Sequence, residues 1–263
     1  MLLAFDVGNS NVKIGLLGED GRVHDKMRIS SQLQRTADEY NVFVNQFLQQ
    51  NQFVWQDIEG IIISSVVPLI TGELSIFLEK HVEQPYAILG PGAKTGLKIN
   101  TEHPHELGAD LVANAAGAYY LSQGKPCIAI AFGTATTFTV VNSRSELQGV
   151  AIAPGVETAL VSLVKNTALL RQVKLEMPRS SIGRNTQEAI RAGLILGNLG
   201  TVEYIVQQQL RELRQAAGDP ELDIKLYSTG FFGKFYQQHS HCLGEFEEDL
   251  LFLGLQQIWQ KNI

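Results

Sequence analysis

The residues with the clearest potential for chemistry lie within the first thirteen positions of the chain. Two short apolar runs flank the polar tetrapeptide Gly8–Asn11. This pattern predicts a β-hairpin, because Gly and Asn accept the backbone angles of a tight turn. Asp6 ends the first predicted strand and Lys13 lies in the second. A carboxylate at this place could hold Mg²⁺ through water, while the turn amides, the polar side chains and the lysine could contact phosphate oxygens. The alternative is that Asp6 and the asparagines only cap an exposed hairpin.

A second carboxylate, Asp110, directly precedes the alanine-rich apolar run 111–121, which is typical of a helix. Its position also fits a helix cap or a partner of the helix dipole. Beside a bound phosphate, such a carboxylate could instead accept the proton of an attacking hydroxyl group. Backbone amides at a helix start are expected to lower its pKa, although a loose transition state needs only a weak base.

The second half of the chain repeats the opening pattern. The apolar strand predicted over 126–132 is followed by the polar segment Gly133–Thr137 and by a further strand over 138–142. A strand, a glycine turn, two more strands and then helices therefore occur twice, which predicts two similar halves with their turns facing a common cleft. This arrangement suits a nucleoside triphosphate, because phosphoryl transfer depends mainly on positioning and charge neutralisation.

Periodicity elsewhere predicts an α/β protein. The remaining strands are expected at 22–29, 60–67, 147–153 and 223–228, and helices at 36–50, 68–81, 156–170, 187–217 and 247–261. The segment 229–233 is expected to be a glycine-rich turn, and 90–96 a Gly/Pro loop that lacks the Walker A spacing.

Composition narrows the function classes. The formal charge of −6 argues against a nucleic-acid-binding protein. The absence of a continuous run of apolar residues long enough for a bilayer argues against a membrane span. Cys127 and Cys242 form neither a disulfide framework nor a zinc site. Without a secretory signal pattern, we expect a cytoplasmic globular protein.

Taken together, these segments resemble the type III pantothenate kinases, a family within the acetate and sugar kinase, Hsp70 and actin superfamily. The resemblance covers nearly the whole chain, with DVGNSNVK at 6–13, SSVVP at 64–68, GPGAKTGL at 90–97, HELGAD at 105–110, FGTATTF at 132–138, IAPGVE at 152–157 and IGRNTQEA at 182–189. It implies two ribonuclease H-like domains with mixed sheets flanked by helices, at 1–115 and 116–263, the last helix packing back on the first domain.

The resemblance also implies a reaction. The γ-phosphate of ATP would be transferred to pantothenate, giving 4'-phosphopantothenate in the first step of coenzyme A biosynthesis. Mg²⁺ would accompany ATP, a monovalent cation such as K⁺ or NH₄⁺ would be required, and the protein would be a homodimer. The alternatives are a catalytically impaired or regulatory relative that binds nucleotide, and a kinase of another small hydroxy acid.

The family's functional positions can be carried over residue by residue. The implied catalytic base is Asp110, and Asp6 would hold Mg²⁺ through water. The implied ATP contacts are Asp6, Val7, Gly8, Asn9, Ser10, Asn11, Val12, Lys13 and Thr134. The implied pantothenate contacts are Thr101, Gly108, Ala109, Asp110, Leu111 and Thr186.

Several positions depart from the family pattern. Leu111 stands where the family has an arginine, and Ala131 where it has the aspartate that binds the monovalent cation. The other departures are Asn100–Thr101, Thr139 and Phe231. Loss of an arginine that pairs with the pantothenate carboxylate would weaken the binding free energy of pantothenate by roughly 1.5–3 kcal/mol, unless Lys94 or Lys98 replaces it.

Overall fold

The computed structural model describes residues 1–165 and 173–262. Within them the chain forms, in order, β1 (Leu2–Val7), β2 (Asn11–Leu17), β3 (Val23–Ser30), α1 (Ala37–Gln50), β4 (Gly60–Ser65), α2 (Pro68–His81), β5 (Tyr86–Ile88), β6 (Lys98–Ile99), α3 (Ala109–Leu121), β7 (Cys127–Phe132), β8 (Ala135–Val141), β9 (Glu146–Pro154), α4 (Val156–Lys165), α5 (Thr186–Ala217), β10 (Lys225–Thr229), α6 (Phe231–Tyr236), β11 (Glu245–Phe246) and α7 (Leu250–Asn262). The predicted α/β class is confirmed.

Some predicted elements differ from those observed. The glycine-rich turn expected at 229–233 is wrong, because β10 continues to Thr229 and α6 begins at Phe231. Gly230 alone makes the connection, with a φ of 88° that favours glycine. The helix expected at 156–170 is described only as far as Lys165, and the remainder of that prediction lies outside the described residues.

The described residues pack into two compact units. Unit 1 comprises Met1–Gln123, Ser145–Leu147 and the chain from Asp249 onward, whereas unit 2 comprises Gly124–Arg144 and Gln148–Glu248. The helix α7 therefore belongs to the same unit as the amino-terminal strands. The domain boundary at 115/116 stays a prediction.

Unit 1 is built on a five-stranded sheet with the order β3-β2-β1-β4-β5. β2 runs antiparallel to β1 and β3, while β4 runs parallel to β1 and β5. Alternate side chains of the fully buried β1 enter different hydrophobic cores, as the two-residue period of a strand requires. Leu3 and Phe5 pack with residues of α1 and α2, whereas Leu2 and Ala4 pack with residues of α3 and α7.

The helices α3 and α7 approach each other closely at two glycines. A methyl group on Gly117 would overlap the carbonyl of Leu250, and one on Gly254 would overlap the carbonyl of Ala113. The missing side chains thus let the two helix backbones come together and let α7 cover the sheet beside α3.

Unit 2 contains the strands β11-β10-β7-β8-β9 in that order, with β7 antiparallel to β8 and parallel to β10. Its core joins apolar residues of β7 and β8 to one face of α5, at Ile195, Leu199, Val202 and Val206. The short β6 pairs with Glu146 and Leu147 at the start of β9.

By length and composition alone, α5 could cross a bilayer. No continuous apolar run marks this helix in the sequence, because Asn198 and Glu203 interrupt it. One such helix is weak evidence for a membrane span, since core helices of globular proteins have the same composition. The buried face of α5 is accounted for by packing in unit 2.

Candidate functional site

The first turn connects β1 to β2 and carries the charged residues singled out from the sequence. The Gly8 N–H donates to the Asn11 carbonyl at 3.0 Å, and Asn9 and Ser10 are exposed at the tip. The antiparallel register places Lys13 directly opposite Asp6. Their side chains form an ion pair with an Nζ–Oδ2 distance of 3.0 Å, although Asp6 is only 6% exposed.

Two of the predicted nucleotide contacts in this segment can act only through the backbone. The side chains of Val7 and Val12 are buried in the core of unit 1 with Leu3 and Phe5. Any contribution of these valines to ligand binding must therefore come from their peptide groups. Asn9, Ser10 and Lys13 have side chains that reach solvent.

Asp110 lies at the start of α3 but is not its cap. The N-cap residue is Gly108, so Asp110 is the second residue of the helix. Its carboxylate lies close to its own backbone N–H and to that of Leu111, and both amides favour the charged carboxylate. Gly108 leaves room for this conformation, because a Cβ there would lie 2.5 Å from Oδ1 of Asp110.

The pKa of Asp110 is raised above its ordinary value, although the helix amides lower it as expected. Burial is the largest cause, since it disfavours the charged carboxylate. The negative charge of Asp6 is the next, and the two backbone N–H groups and the positive charge of Lys13 act in the opposite direction. Asp6, Lys13 and Asp110 therefore form one electrostatic group within unit 1.

This group has the components that phosphoryl transfer requires. A carboxylate with a raised pKa is a stronger proton acceptor than an ordinary aspartate. Lys13 supplies positive charge beside the turn, and the Asp6 carboxylate offers the kind of oxygen ligand that Mg²⁺ prefers. In the part of the chain that the structure describes, no three His, Cys, Asp or Glu side chains form a metal site. Mg²⁺ would therefore be held mainly by nucleotide and water, with Asp6 as the protein's contact.

The second turn connects β7 to β8 in unit 2. The Gly133 N–H donates to the Ala135 carbonyl at 3.0 Å, and Thr134 is exposed. The Thr134 carbonyl accepts the Gly155 N–H at 3.1 Å and the Thr158 hydroxyl at 2.6 Å. A side chain on Gly155 would overlap the carbonyls of this turn. The segment after β9 thus packs directly against the second turn and donates hydrogen bonds to it.

The monovalent cation implied by the resemblance does not fit the residues found here. Ala131 presents a methyl group where the family has a carboxylate, and it pairs across the strands with Thr137. The Thr139 hydroxyl is buried without a hydrogen-bond partner among the described residues. The hard anionic oxygen that such a cation would use is therefore missing.

The predicted pantothenate contacts fall in both units. Thr101, Gly108, Ala109 and Leu111 lie in unit 1, whereas Thr186 is the first residue of α5 in unit 2. The Leu111 side chain is buried, and the Thr101 hydroxyl has no partner among the described residues. Lys98 is a poor substitute for the missing arginine, because its Nζ already lies 3.2 Å from Oε1 of Glu146.

Ser31 was not expected from the sequence, yet it contacts the first turn directly. Its hydroxyl donates to the Gly8 carbonyl at 2.6 Å, and its N–H donates to the Ser10 carbonyl at 3.0 Å. The segment around it, ISSQLQ, carries no motif that would mark it. Only the length of β3 and its pairing with β2 could have placed Ser31 beside the turn.

Two solved structures share the fold of this chain. The chain matches a protein from Campylobacter jejuni provisionally assigned to the Baf family of transcriptional activators, with a TM-score of 0.54, 19% identity and coverage of 99% of this chain and 98% of the other. It also matches a protein from Sinorhizobium meliloti provisionally assigned as a 2-dehydro-3-deoxygalactonokinase, with a TM-score of 0.53, 13% identity and coverage of 99% and 96%. At these identities the likeness concerns the fold alone. The class that these two matches define is therefore one of fold.

Sequence comparison identifies the family. The model of the family described as type III pantothenate kinase matches residues 2–208. A type III pantothenate kinase of Bifidobacterium adolescentis is 34% identical over 263 residues, which are 100% of this chain and 99% of the relative. The chain belongs to the type III pantothenate kinase family, and the resemblance noted from its motifs is confirmed.

Proposed function

We propose that this protein transfers the γ-phosphate of ATP to pantothenate, giving 4'-phosphopantothenate in the first step of coenzyme A biosynthesis, with Asp110 as the catalytic base. The observation that carries the assignment of roles is the electrostatic group in unit 1. A carboxylate with a raised pKa lies within the field of Asp6 and Lys13, beside an exposed turn.

ATP binding is assigned to the two turns. In unit 1, the peptide groups of 6–13 and the side chains of Asn9, Ser10, Asn11 and Lys13 contact phosphate oxygens, while Asp6 holds the Mg²⁺ that accompanies ATP through water. Mg²⁺ supplies charge neutralisation on the phosphates when it is bound. In unit 2, the exposed Thr134 offers a further contact from a turn whose backbone is held by Gly155 and Thr158.

Asp110 accepts the proton of the pantothenate hydroxyl. In a loose transition state this transfer occurs late, so the base need not be strong. Burial and the charge of Asp6 nevertheless increase its basicity. Pantothenate contacts are assigned to Thr101, Gly108–Leu111 and Thr186. Because Leu111 carries no charge and Lys98 is paired with Glu146, we expect weaker binding of the pantothenate carboxylate than an arginine would give.

The reaction is assigned to the cytoplasm. ATP, the phosphate donor of the proposed reaction, is abundant there. We further propose that turnover needs no monovalent cation, because Ala131 cannot supply the ligand.

A homodimer is also proposed, with α5 as part of its interface. Gly193, Gly197, Gly200 and Tyr204 lie along one exposed stripe of this helix, and Tyr204 is 65% exposed. Each glycine costs about 1 kcal/mol relative to alanine inside a helix, yet a Cβ at any of the three would meet nothing within 4 Å. Close approach by a second copy of the chain would explain why these three positions are glycine.

Sedimentation tests the homodimer. Gly197→Leu should convert a dimer to a monomer, because the added side chain would prevent close approach. Gly72→Leu is the matched control, since Gly72 is an exposed helical glycine of α2 that also has nothing within 4 Å. A monomeric wild-type protein, or a dimeric Gly197→Leu variant, would contradict the proposal.

A coupled ADP-release assay tests the reaction. We expect ADP release from ATP and Mg²⁺ only when pantothenate is present. ATP binding by calorimetry without turnover would instead indicate a regulatory relative. Turnover with a different small hydroxy acid, and none with pantothenate, would indicate a kinase of another acceptor.

A further inference from the structure

The segment that follows β3 forms hydrogen bonds with the first turn, which connects β1 to β2. Ser31 contacts it twice, through its hydroxyl to the Gly8 carbonyl at 2.6 Å and through its N–H to the Ser10 carbonyl at 3.0 Å. Both contacts are made to carbonyl groups of the exposed tip and therefore help to fix its orientation. The hydroxyl contact is the one that a mutation can remove.

Fixing a carbonyl also fixes the amide that follows it. Because the peptide bond is planar and trans, its C=O and N–H point in opposite directions. With the Gly8 carbonyl directed at Ser31, the N–H of Asn9 is directed away from Ser31. No hydrogen bond joins this N–H to another group of the described chain, and Asn9 is exposed. The amide is therefore free to donate to a ligand.

Arg35 holds the segment that carries Ser31. Its Nη1 donates to the Ser30 carbonyl at 2.8 Å, and its N–H closes a turn to the Gln32 carbonyl at 3.1 Å. The guanidinium lies over the Phe43 ring at 4.9 Å from the centroid, and Arg35 is only 8% exposed. A buried, planar donor in this position restricts the movement of the chain around Ser31.

We propose that Ser31 is a positioning residue for nucleotide binding, which acts by aiming the Asn9 amide at a phosphate oxygen of ATP. Ser31 itself does not touch the ligand. This inference rests on the proposed function, because it assumes that the first turn binds the phosphates. It adds a residue outside the turn to the nucleotide site and gives it a specific mode of action.

Calorimetric titration of the full-length protein tests the inference, with ATP and adenosine as separate ligands. Ser31→Ala should weaken ATP binding roughly threefold to tenfold, as expected for the loss of one neutral hydrogen bond. Adenosine affinity should not change, because adenosine has no phosphate. Ser31→Thr, which keeps the hydroxyl, should restore ATP affinity. Ser75→Ala is the matched control, since that hydroxyl also donates to a backbone carbonyl, of Thr71 at 2.9 Å.

The possible outcomes separate this inference from the proposed function. Equal ATP affinity in Ser31→Ala and wild type overturns it, as does an equal loss of affinity for ATP and adenosine. If the wild type binds ATP but does not phosphorylate pantothenate, the proposed function fails and the titrations still decide the role of Ser31. If the wild type does not bind ATP, both fail.

Discussion

The two turns are built alike but carry different charges. Each joins antiparallel strands, and each has a carbonyl held by a hydroxyl at 2.6 Å, Gly8 by Ser31 and Thr134 by Thr158. The first lies beside Asp6 and Lys13, whereas the strands around the second present Ala131 and Thr139. Under the proposed function, both turns would contact phosphate through backbone amides, whereas the charged groups assigned to proton transfer lie in unit 1.

Removing the charge of Asp110 should have the largest effect. Asp110→Asn is expected to lower turnover at least about tenfold, because the catalytic base is lost. It should also raise the melting temperature near neutral pH. The folded-state pKa of Asp110 is raised above its unfolded value, so stability falls as pH rises through that raised pKa. Asparagine does not ionise and avoids this loss.

ADP-release rates and thermal unfolding at several pH values check both parts of this expectation. Equal rates in variant and wild type would remove Asp110 from the mechanism. A melting temperature difference that grows toward acidic pH would contradict the sign of the pKa change.

Neutralising Lys13 should have the next largest effect. Lys13→Met is expected to raise the KM for ATP roughly tenfold to a hundredfold, as for the loss of a charge-assisted contact. The acid limb of kcat/KM should also move to higher pH, because Lys13 opposes the rise in the pKa of Asp110. Lys26→Met is the control, since that lysine pairs with Asp249 at 2.7 Å and exposed pairs contribute little. An unchanged pH profile would show that the charge of Lys13 does not affect the pKa of Asp110.

A smaller effect is expected at the second turn. Thr158→Ala removes the hydroxyl that holds the Thr134 carbonyl and should raise the KM for ATP by up to about tenfold. The pH profile of kcat/KM should stay unchanged, because neither Thr134 nor Thr158 carries an ionisable side chain. Thr158→Ser keeps the hydroxyl and should behave as wild type. A shifted pH profile in the alanine variant would contradict the assignment of proton transfer to unit 1 alone.

The smallest effect should come from changing the monovalent cation. Replacing Na⁺ by K⁺ or NH₄⁺ is expected to change the rate less than about twofold, because Ala131 offers no oxygen ligand. Ala131→Asp supplies a carboxylate and should introduce a dependence on K⁺. Strong activation of the wild type by K⁺ would show that other oxygens bind the cation.

Much of the fold could be predicted because long strands and helices repeat their apolar residues at fixed intervals. β1, β4 and α1 were recognisable on that ground. The strands β5, β6 and β11 were not, since two or three residues cannot display a period. The first half of α6 was predicted to be a turn because Gly230 precedes the helix and Gly233 lies within it.

The site was predictable where local pattern determines geometry. A two-residue hairpin tip fixes the register, and that register places Lys13 opposite Asp6. The direction in which the pKa of Asp110 shifts was not predictable, because it depends on burial and on Asp6, which is far from Asp110 in the sequence. The role of Ser31 depends equally on tertiary contacts. The assignments of individual ligand contacts, including Thr101 and Thr186, stay predictions.

The place of α7 has a consequence for how unit 1 folds. Phe252, Leu255, Ile258 and Trp259 complete the core that covers one side of the sheet containing β1. Most of unit 2 lies between this helix and the strands of unit 1 in the sequence. This core therefore depends on contacts between residues far apart in the chain, which form more slowly than local contacts.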